Sequence, residues 1–211
     1  MTELIKSILL EINDEDNREI YMAFIEVLLN QYHDACTADA KANDACTADA
    51  CTADACTFMP LLKDQVVFSY ADAETMAFQL TLQLQLLEAR GFSLLFWQPG
   101  DILVVYLPSG QKLYLLVGLD QLVGLNKKNT NQMVITYPPI FPLPADKCAP
   151  EVLQMHILPF YTHRSASYYS LALLCLKQLN LSLPDIQDTK LFYFLERCMQ
   201  GLPEERSLIY L

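Results

Sequence analysis

Positive charge is scarce in this sequence. Lys and Arg together number 14 among 211 residues, against 25 Asp and Glu, so the formal net charge is −11 at pH 7. Nucleic acids are bound through Lys and Arg that neutralise phosphates, and anionic membrane surfaces attract the same residues. The composition therefore argues against both of these partners and leaves a protein as the expected partner, while solubility is the simplest role of the charge.

Long apolar runs and a secretory leader are also missing. No run approaches the roughly 18 apolar residues of a membrane span, and Glu3 and Lys6 interrupt the apolar N-terminal residues. The seven cysteines are an odd number, which favours reduced thiols over a disulfide framework. We therefore expect a cytoplasmic, intracellular protein.

Glycine is rare, and none of the six precedes Gly91. A glycine-rich loop that wraps nucleotide phosphates is therefore excluded upstream of Gly91. Hydrophobic residues, in contrast, make up 53% of the chain. That fraction predicts a packed core, and the length suits one domain of ordinary size.

Apolar residues recur at helical spacing from Leu4 to Ile12 and again from Ile20 to Tyr32. This pattern predicts an N-terminal helical pair over residues 1–33, packed on the rest of the chain. Residues 34–57 then repeat the unit Asp-Ala-Cys-Thr-Ala, which has no large apolar side chain and neither a helical nor a strand period. Zinc-binding cysteines are usually two to four residues apart, so this spacing favours a surface insertion over a metal site.

Deletion of residues 34–57 is expected to change the free energy of unfolding by less than about 1 kcal/mol, because the segment has little apolar surface to bury. Urea unfolding of the deletion variant beside the full chain measures the difference. Loss of soluble folded protein on deletion, or zinc retained by the full chain in stoichiometric amount, would contradict this expectation.

The pattern of the rest of the chain, residues 58–211, predicts an α+β, mainly α domain. A long apolar helix runs from Asp72 and ends at Gly91. Strands at Ile102–Leu107 and Lys112–Val117 flank the turn Pro108-Ser109-Gly110, which indicates a β-hairpin.

Downstream, Asn126–Gln132 is predicted to be a polar turn and Met133–Tyr137 a strand. Three helical patterns complete the chain, around Glu151–His156, Ser167–Leu179 and Thr189–Met199.

Five short motifs match, in order, those of the C-terminal lobe of eukaryotic-type protein kinases. Gln98-Pro99-Gly100-Asp101-Ile102-Leu103 is similar to the catalytic-loop stretch Lys-Pro-Glu-Asn-Ile-Leu, and Ser109–Leu113 resembles the strand pair before the metal-binding motif. Ala149-Pro150-Glu151 matches Ala-Pro-Glu. Ser167–Ala172 resembles the Asp-x-Trp-Ser-x-Gly helix start, and Pro203-Glu204-Glu205-Arg206 resembles Pro-x-x-Arg.

From about Asp72 to its end, the chain thus resembles a degenerate kinase C-lobe, or pseudokinase, with one or two short antiparallel hairpins and no complete N-lobe. Non-catalytic kinase C-lobe modules and kinase-like proteins of large DNA viruses have a similar look. An unrelated helical domain is the alternative.

In the same alignment, this chain lacks the catalytic groups of a kinase. Phosphoryl transfer needs one carboxylate beside the attacking hydroxyl and another on magnesium, but the aligned positions are Leu94-Leu95-Phe96 and Leu116-Val117-Gly118. Asp101 stands where kinases place a metal-binding Asn, so it is a metal candidate, with a solvated loop carboxylate as the simpler interpretation. Asp120 takes this role only if the alignment shifts. No catalytic residue and no cofactor is therefore predicted.

Histidine and cysteine offer no replacement. His33, His156 and His163 are far apart, without metal or triad spacing, and no pattern places a histidine beside Cys148. A packed thiol is therefore the favoured interpretation of Cys148.

The resemblance also implies a structural ion pair between Glu151 and Arg206, two unrelated surface charges being the alternative. The function that follows is a catalytically inactive scaffold or adaptor that binds a protein. An atypical protein kinase or phosphotransferase with displaced motifs and a vestigial structural protein are the other possibilities. Neither the partner nor the oligomeric state follows from the sequence.

Overall fold

A computed structural model describes residues 18–27, 61–64, 67–107, 110–137 and 142–209, which form an α+β fold with antiparallel sheets. The helices are α1 (18–27), α2 (Tyr70–Ala89), α3 (Pro150–Leu153), α4 (Ala166–Leu179) and α5 (Lys190–Cys198). The strands are β1 (Phe92–Leu94), β2 (Ile102–Tyr106), β3 (Lys112–Leu116), β4 (Leu122–Asn126), β5 (Asn129–Ile135) and β6 (Phe160–His163). None of the described helices combines the length and apolarity that crossing a membrane takes.

Helix α2 is the long apolar helix that the sequence predicts, and it begins at Tyr70 instead of Asp72. Ser69 caps it: its hydroxyl accepts a hydrogen bond from the Asp72 amide, and the Asp72 carboxylate accepts one from the Ser69 amide. Gly91 follows the helix with a φ of +86°, a conformation that glycine adopts without strain. The predicted helix and its end are therefore confirmed.

The predicted hairpin is also confirmed, because β2 and β3 pair antiparallel from Ile102 opposite Leu116 to Tyr106 opposite Lys112. The strands are buried over nearly their whole length, which explains why their sequences are continuous apolar runs. One edge of the hairpin is bridged by Leu61, which pairs with Leu103.

Two glutamines of α2 occupy the other edge of this hairpin. The Gln83 side chain donates to the Tyr114 carbonyl at 2.8 Å and accepts from the Leu116 amide at 2.9 Å. The Gln79 side chain accepts from the Tyr114 amide at 2.7 Å and donates to the Lys112 carbonyl at 3.3 Å. Together the two amides satisfy the backbone groups that a further strand would otherwise take.

The prediction that the β structure consists of one or two short hairpins is wrong. Strands β1, β4, β5 and β6 form a four-stranded sheet in the order β1-β4-β5-β6, separate from the hairpin. The predicted polar turn Asn126–Gln132 contains the end of β4, a short turn and the start of β5. The first three residues of β5 are exposed, so they are polar without the alternation that marks a half-buried strand.

The described part of α1 packs on the remainder of the chain. Tyr21, Phe24 and Ile25 belong to the same buried cluster as α2 and the hairpin, and the Tyr21 hydroxyl donates to the Val117 carbonyl at 2.7 Å. The other residues of the predicted helical pair and the repeat at 34–57 lie outside the described residues. The domain boundaries thus stay predictions.

Candidate functional site

The positions that align with the kinase carboxylates lie in the protein core. Leu94, Leu95, Phe96 and Leu116 are each at most 1% exposed. Leu94 and Leu116 belong to the larger buried cluster, while Leu95 and Phe96 belong to a second cluster beneath the four-stranded sheet. Burial of each such side chain stabilises the fold by about 1.5–3 kcal/mol, whereas a carboxylate here would need a partner. These positions therefore support packing and offer no group for phosphoryl transfer.

The start of α4 holds the segment that follows these positions. The Trp97 amide donates to the Ser170 hydroxyl at 2.8 Å, and the Trp97 indole donates to the Ser167 carbonyl at 3.1 Å. The Ser93 hydroxyl donates to that of Ser167, which donates to the Arg164 carbonyl. The serines of the predicted motif thus satisfy buried polar groups of the Trp97 segment.

Asp101 lies where the turn Pro99–Asp101 enters β2. Its carbonyl accepts hydrogen bonds from the amides of Val117 at 2.7 Å and Gly118 at 3.1 Å. A Cβ atom added to Gly118 would lie 2.5 Å from the Asp101 Oδ1 atom, so any other residue here would displace the Asp101 side chain. Asp101 is therefore fixed against the end of β3.

The surroundings of Asp101 are polar and charged. Burial raises the pKa of Asp101 to about 6; the Gln98 hydrogen bond lowers it, the Asp120 charge raises it and the Lys147 charge lowers it. The Lys147 ammonium in turn donates to the Gln98 side chain at 3.1 Å. The charge of Asp120, the other carboxylate that the sequence offers as a metal candidate, thus acts on Asp101.

Metal binding at Asp101 and Asp120 would depend on a phosphate ligand. Within the described residues, no group of three or more His, Cys, Asp or Glu side chains is placed to hold a metal ion. Magnesium can bind through one or two carboxylates when substrate phosphates and water supply the other ligands. Nucleotide is therefore the ligand with which this pair has to be tested.

Glu151 and Arg206 form a bidentate ion pair. Arg206 donates from Nη1 to Glu151 Oε1 at 2.6 Å and from Nη2 to Oε2 at 3.1 Å. Its Nε also donates to the Gln200 carbonyl at 2.8 Å, and the guanidinium lies 4.9 Å from the centre of the Tyr169 ring. The side chain of Arg206 is 1% exposed and that of Glu151 is 22% exposed. The pair therefore joins α3 to the C-terminal segment with the geometry that guanidinium and carboxylate favour.

Comparisons with protein-family models, with curated proteins and with solved structures found no match. The kinase resemblance therefore stays a prediction that rests on this chain's own motifs.

The described cysteines are packed thiols. Cys148, Cys175 and Cys198 are free and buried, and burial raises the pKa of Cys148 to about 12, with the Asp146 charge raising it further and Lys147 lowering it. A thiol with so high a pKa is a poor nucleophile near neutral pH. The remaining four cysteines of the chain lie outside the described residues.

One histidine has a serine neighbour that its sequence pattern does not reveal as a site. The His163 Nδ1 atom lies 2.7 Å from the Ser165 hydroxyl, which donates to the Pro203 carbonyl at 2.5 Å. Ser165 is fully buried, and its proton is taken by the carbonyl, so it is not placed as a nucleophile. The contact links the end of β6 to the turn that leads to Arg206. His156 is exposed, and His33 is outside the described part of the chain.

A buried carboxylate at the end of α2 was also missed. Glu88 accepts from the Tyr168 hydroxyl at 3.0 Å and lies 3.3 Å from the Arg164 guanidinium. Burial raises the pKa of Glu88, while the Arg164 charge and the Tyr168 hydrogen bond lower it. A negative charge at a helix C-terminus is unfavourable, and Arg164 offsets it. No local spacing reveals this cluster, because Glu88 is distant in sequence from Arg164 and Tyr168.

Proposed function

We propose that this chain is a catalytically inactive, kinase-like module that binds another protein as a scaffold or adaptor. The observation that carries the proposal is the burial of apolar side chains at both positions that align with the kinase carboxylates, Leu94–Phe96 and Leu116. The order of the five motifs supports the relation to kinases, and so does the ion pair between residues of two of them, Glu151 and Arg206.

Protein binding is supported by the surface of the chain. Four large apolar side chains are exposed within a short stretch, those of Leu153, Ile157, Leu158 and Tyr161. Soluble proteins rarely expose a large contiguous apolar patch without an interaction to match it. The excess of acidic residues makes nucleic acid a poor partner for the same surface.

A phosphotransferase with displaced motifs is the second candidate. The effect of the Asp120 and Lys147 charges on Asp101 favours it, because carboxylates bind magnesium and lysine binds phosphate in phosphotransferases. Against it stand the lack of a glycine-rich loop before Gly91 and the apolar residues at the aligned positions.

Addition of ATP and magnesium is expected to leave the melting temperature unchanged. A dissociation constant of about 100 μM corresponds to roughly −5.5 kcal/mol of binding. At about 10 mM ATP, such an affinity would stabilise the native state by about 2.7 kcal/mol, which is a shift of several degrees. A thermal-shift scan with ATP and magnesium, beside magnesium alone, therefore tests whether the module is catalytically inactive, as proposed.

Two variants test whether any binding of ATP involves Asp101 and Asp120. A rise in melting temperature that is lost in Asp101→Asn and in Asp120→Asn would overturn the proposal and make both residues ligands. Asp188→Asn is the matched control, because it removes one exposed carboxylate from the turn before α5.

A further inference from the structure

The outer face of the four-stranded sheet carries a row of apolar residues. The strands pair Phe92 with Gly124 and Val134 with Tyr161, and the register of β4 against β5 puts Gly124 beside Val134. One line of residues therefore crosses all four strands, in the order Phe92, Gly124, Val134 and Tyr161.

This row faces away from the core. Successive residues of a strand point to opposite faces of the sheet. The residues that alternate with the row are each at most 7% exposed: Ser93, Val123, Met133 and Thr162. Phe92 and Tyr161, in contrast, are 40% and 53% exposed, and Gly124 is exposed between them. Two aromatic side chains of the row are therefore open to a ligand.

The glycine of the row leaves a groove between these aromatic residues. Apart from its chain neighbours, a Cβ atom added to Gly124 would meet no atom within 4 Å. Phe92 borders the open space on one side, and Val134 and Tyr161 border it on the other. Neighbouring strands are about 4.8 Å apart, so roughly 14 Å separates the backbones of Phe92 and Tyr161, which are three strand spacings apart. We call this feature the Gly124 groove.

A row of amide side chains lies beside the Gly124 groove. The Asn126 Nδ2 atom donates to the Gln132 Oε1 atom at 3.3 Å, and the Asn126 Oδ1 atom accepts from the Lys128 amide at 3.0 Å. Each side-chain oxygen thus already accepts a hydrogen bond, whereas the Gln132 Nε2 atom donates to no described residue. The amide row therefore offers hydrogen-bond donors to a ligand.

The outer face has no excess of either charge. None of its four strands contains Asp, Glu, Lys or Arg. Beside Gln132, burial lowers the pKa of His163; the charges of Arg164 and Arg206 lower it as well, and those of Glu204 and Glu151 raise it. A charged ligand of either sign would therefore meet no complementary group along the sheet.

These features suit an uncharged ligand that has apolar rings and free acceptors. Proline has an apolar ring and a carbonyl acceptor, and it lacks the N–H group that would need an acceptor in return. An ordinary extended segment or a sugar brings donors as well. Proline-rich segments in the polyproline II conformation dock into grooves lined by aromatic side chains. At about 3.1 Å per residue, roughly five such residues span the distance between the two aromatic strands.

We propose that the Gly124 groove binds an uncharged, proline-rich segment of another protein in the polyproline II conformation. The proline rings pack between Phe92 and Tyr161, and the carbonyls of the segment accept from the Gln132 amide. This inference rests on the proposed function as a protein-binding module and names both the surface and the chemistry of the partner.

Synthetic ligands test the proposal. The probe is fluorescein-labelled decaproline, and the matched probe is a decapeptide of alternating Gly and Ser. Fluorescence polarisation is expected to show saturable binding of decaproline to the full chain with a dissociation constant below about 1 mM. The Gly-Ser peptide, which has neither rings nor a preformed conformation, should bind at least about tenfold more weakly. Cellohexaose should displace the probe at least about tenfold less effectively than unlabelled decaproline, because its hydroxyls also donate.

Two variants place the binding in the Gly124 groove. Gly124→Glu puts a carboxylate on its floor, where it repels the carbonyls of the ligand, and should weaken binding at least about tenfold. Gly201→Glu is the matched control, because an added Cβ atom has the same free space there, after α5. Tyr161→Ala should also weaken binding at least about tenfold, whereas Tyr193→Ala removes a tyrosine of similar exposure on α5. Each control should change the affinity less than about twofold, and circular dichroism verifies that all four variants fold.

A third variant tests the hydrogen bond to the ligand. Gln132→Glu keeps an oxygen for Asn126 and removes the Nε2 donor, so it should weaken binding of decaproline at least about tenfold. Gln187→Glu makes the same change at an exposed residue before α5 and should change the affinity less than about twofold.

The proposal is overturned if decaproline shows no saturable binding, if the Gly-Ser peptide or cellohexaose binds as well, or if Gly124→Glu, Tyr161→Ala and Gln132→Glu leave the affinity unchanged. It is also overturned if ultracentrifugation shows a dimer that Gly124→Glu abolishes and Gly201→Glu retains, because the groove then belongs to a second copy. Its failure is separate from failure of the proposed catalytic inactivity, which is read from the ATP scan alone.

Discussion

Replacing Glu151 with alanine is expected to lower the free energy of unfolding by about 3–5 kcal/mol, the cost of stranding a buried charge. The Arg206 side chain is 1% exposed and would keep only its hydrogen bond to the Gln200 carbonyl and its contact with Tyr169. Urea unfolding measures the loss, provided that the dependence on urea concentration is the same in both proteins.

An exposed ion pair provides the control. Lys177 and Asp146 pair at 2.6 Å with side chains that are 53% and 59% exposed. Asp146→Ala should therefore cost less than about 1 kcal/mol. Arg206→Lys should also lower the free energy of unfolding. An ammonium lacks the planar fork that meets both Glu151 oxygens and the Gln200 carbonyl, so lysine does not replace arginine here. If Glu151→Ala costs no more than Asp146→Ala, the pair does not hold the fold together, and the kinase resemblance loses its best structural support.

Gln83→Leu is expected to destabilise the fold by about 2–5 kcal/mol. The change leaves the Tyr114 carbonyl and the Leu116 amide without partners in a buried place, and each unpaired group costs about 1–3 kcal/mol. The apolar gain of leucine offsets only part of this. Urea unfolding gives the total, and hydrogen exchange at the Leu116 amide reports the local loss of protection.

Gln85→Leu is the matched control, since Gln85 lies on the exposed side of the same helix. Its effect should stay within about 0.5 kcal/mol. Equal unfolding energies for the two variants, with an unchanged exchange rate at Leu116, would mean that the glutamine side chains do not stabilise the edge of β3.

The elements that could be predicted from the sequence are those with strong local signals. Helix α2 has a capping box at Ser69 and Asp72 and a glycine at its end. The hairpin of β2 and β3 has two apolar runs around a proline- and glycine-containing turn. In both cases the residues that specify the element lie within or beside it.

The four-stranded sheet was not predictable in the same way. Strands β1 and β6 have three and four residues, too few to show an alternating pattern. The start of β5 is polar because it is exposed, and its sequence therefore predicts a turn instead of a strand. What makes these segments strands is their pairing with each other across long sequence separations.

The features of the candidate site also divide into those that the sequence determines and those that the tertiary structure decides. The excess of acidic residues, the lack of an early glycine and the apolar residues at the positions aligned with the kinase carboxylates are determined by the sequence alone. Only the tertiary structure decides that Glu151 and Arg206, 55 residues apart, form an ion pair, that the Asp120 charge acts on Asp101, and that β6 is the last strand of its sheet. The physical reason is that burial and distance set the strength of a charge or a hydrogen bond, and both are properties of the packed chain.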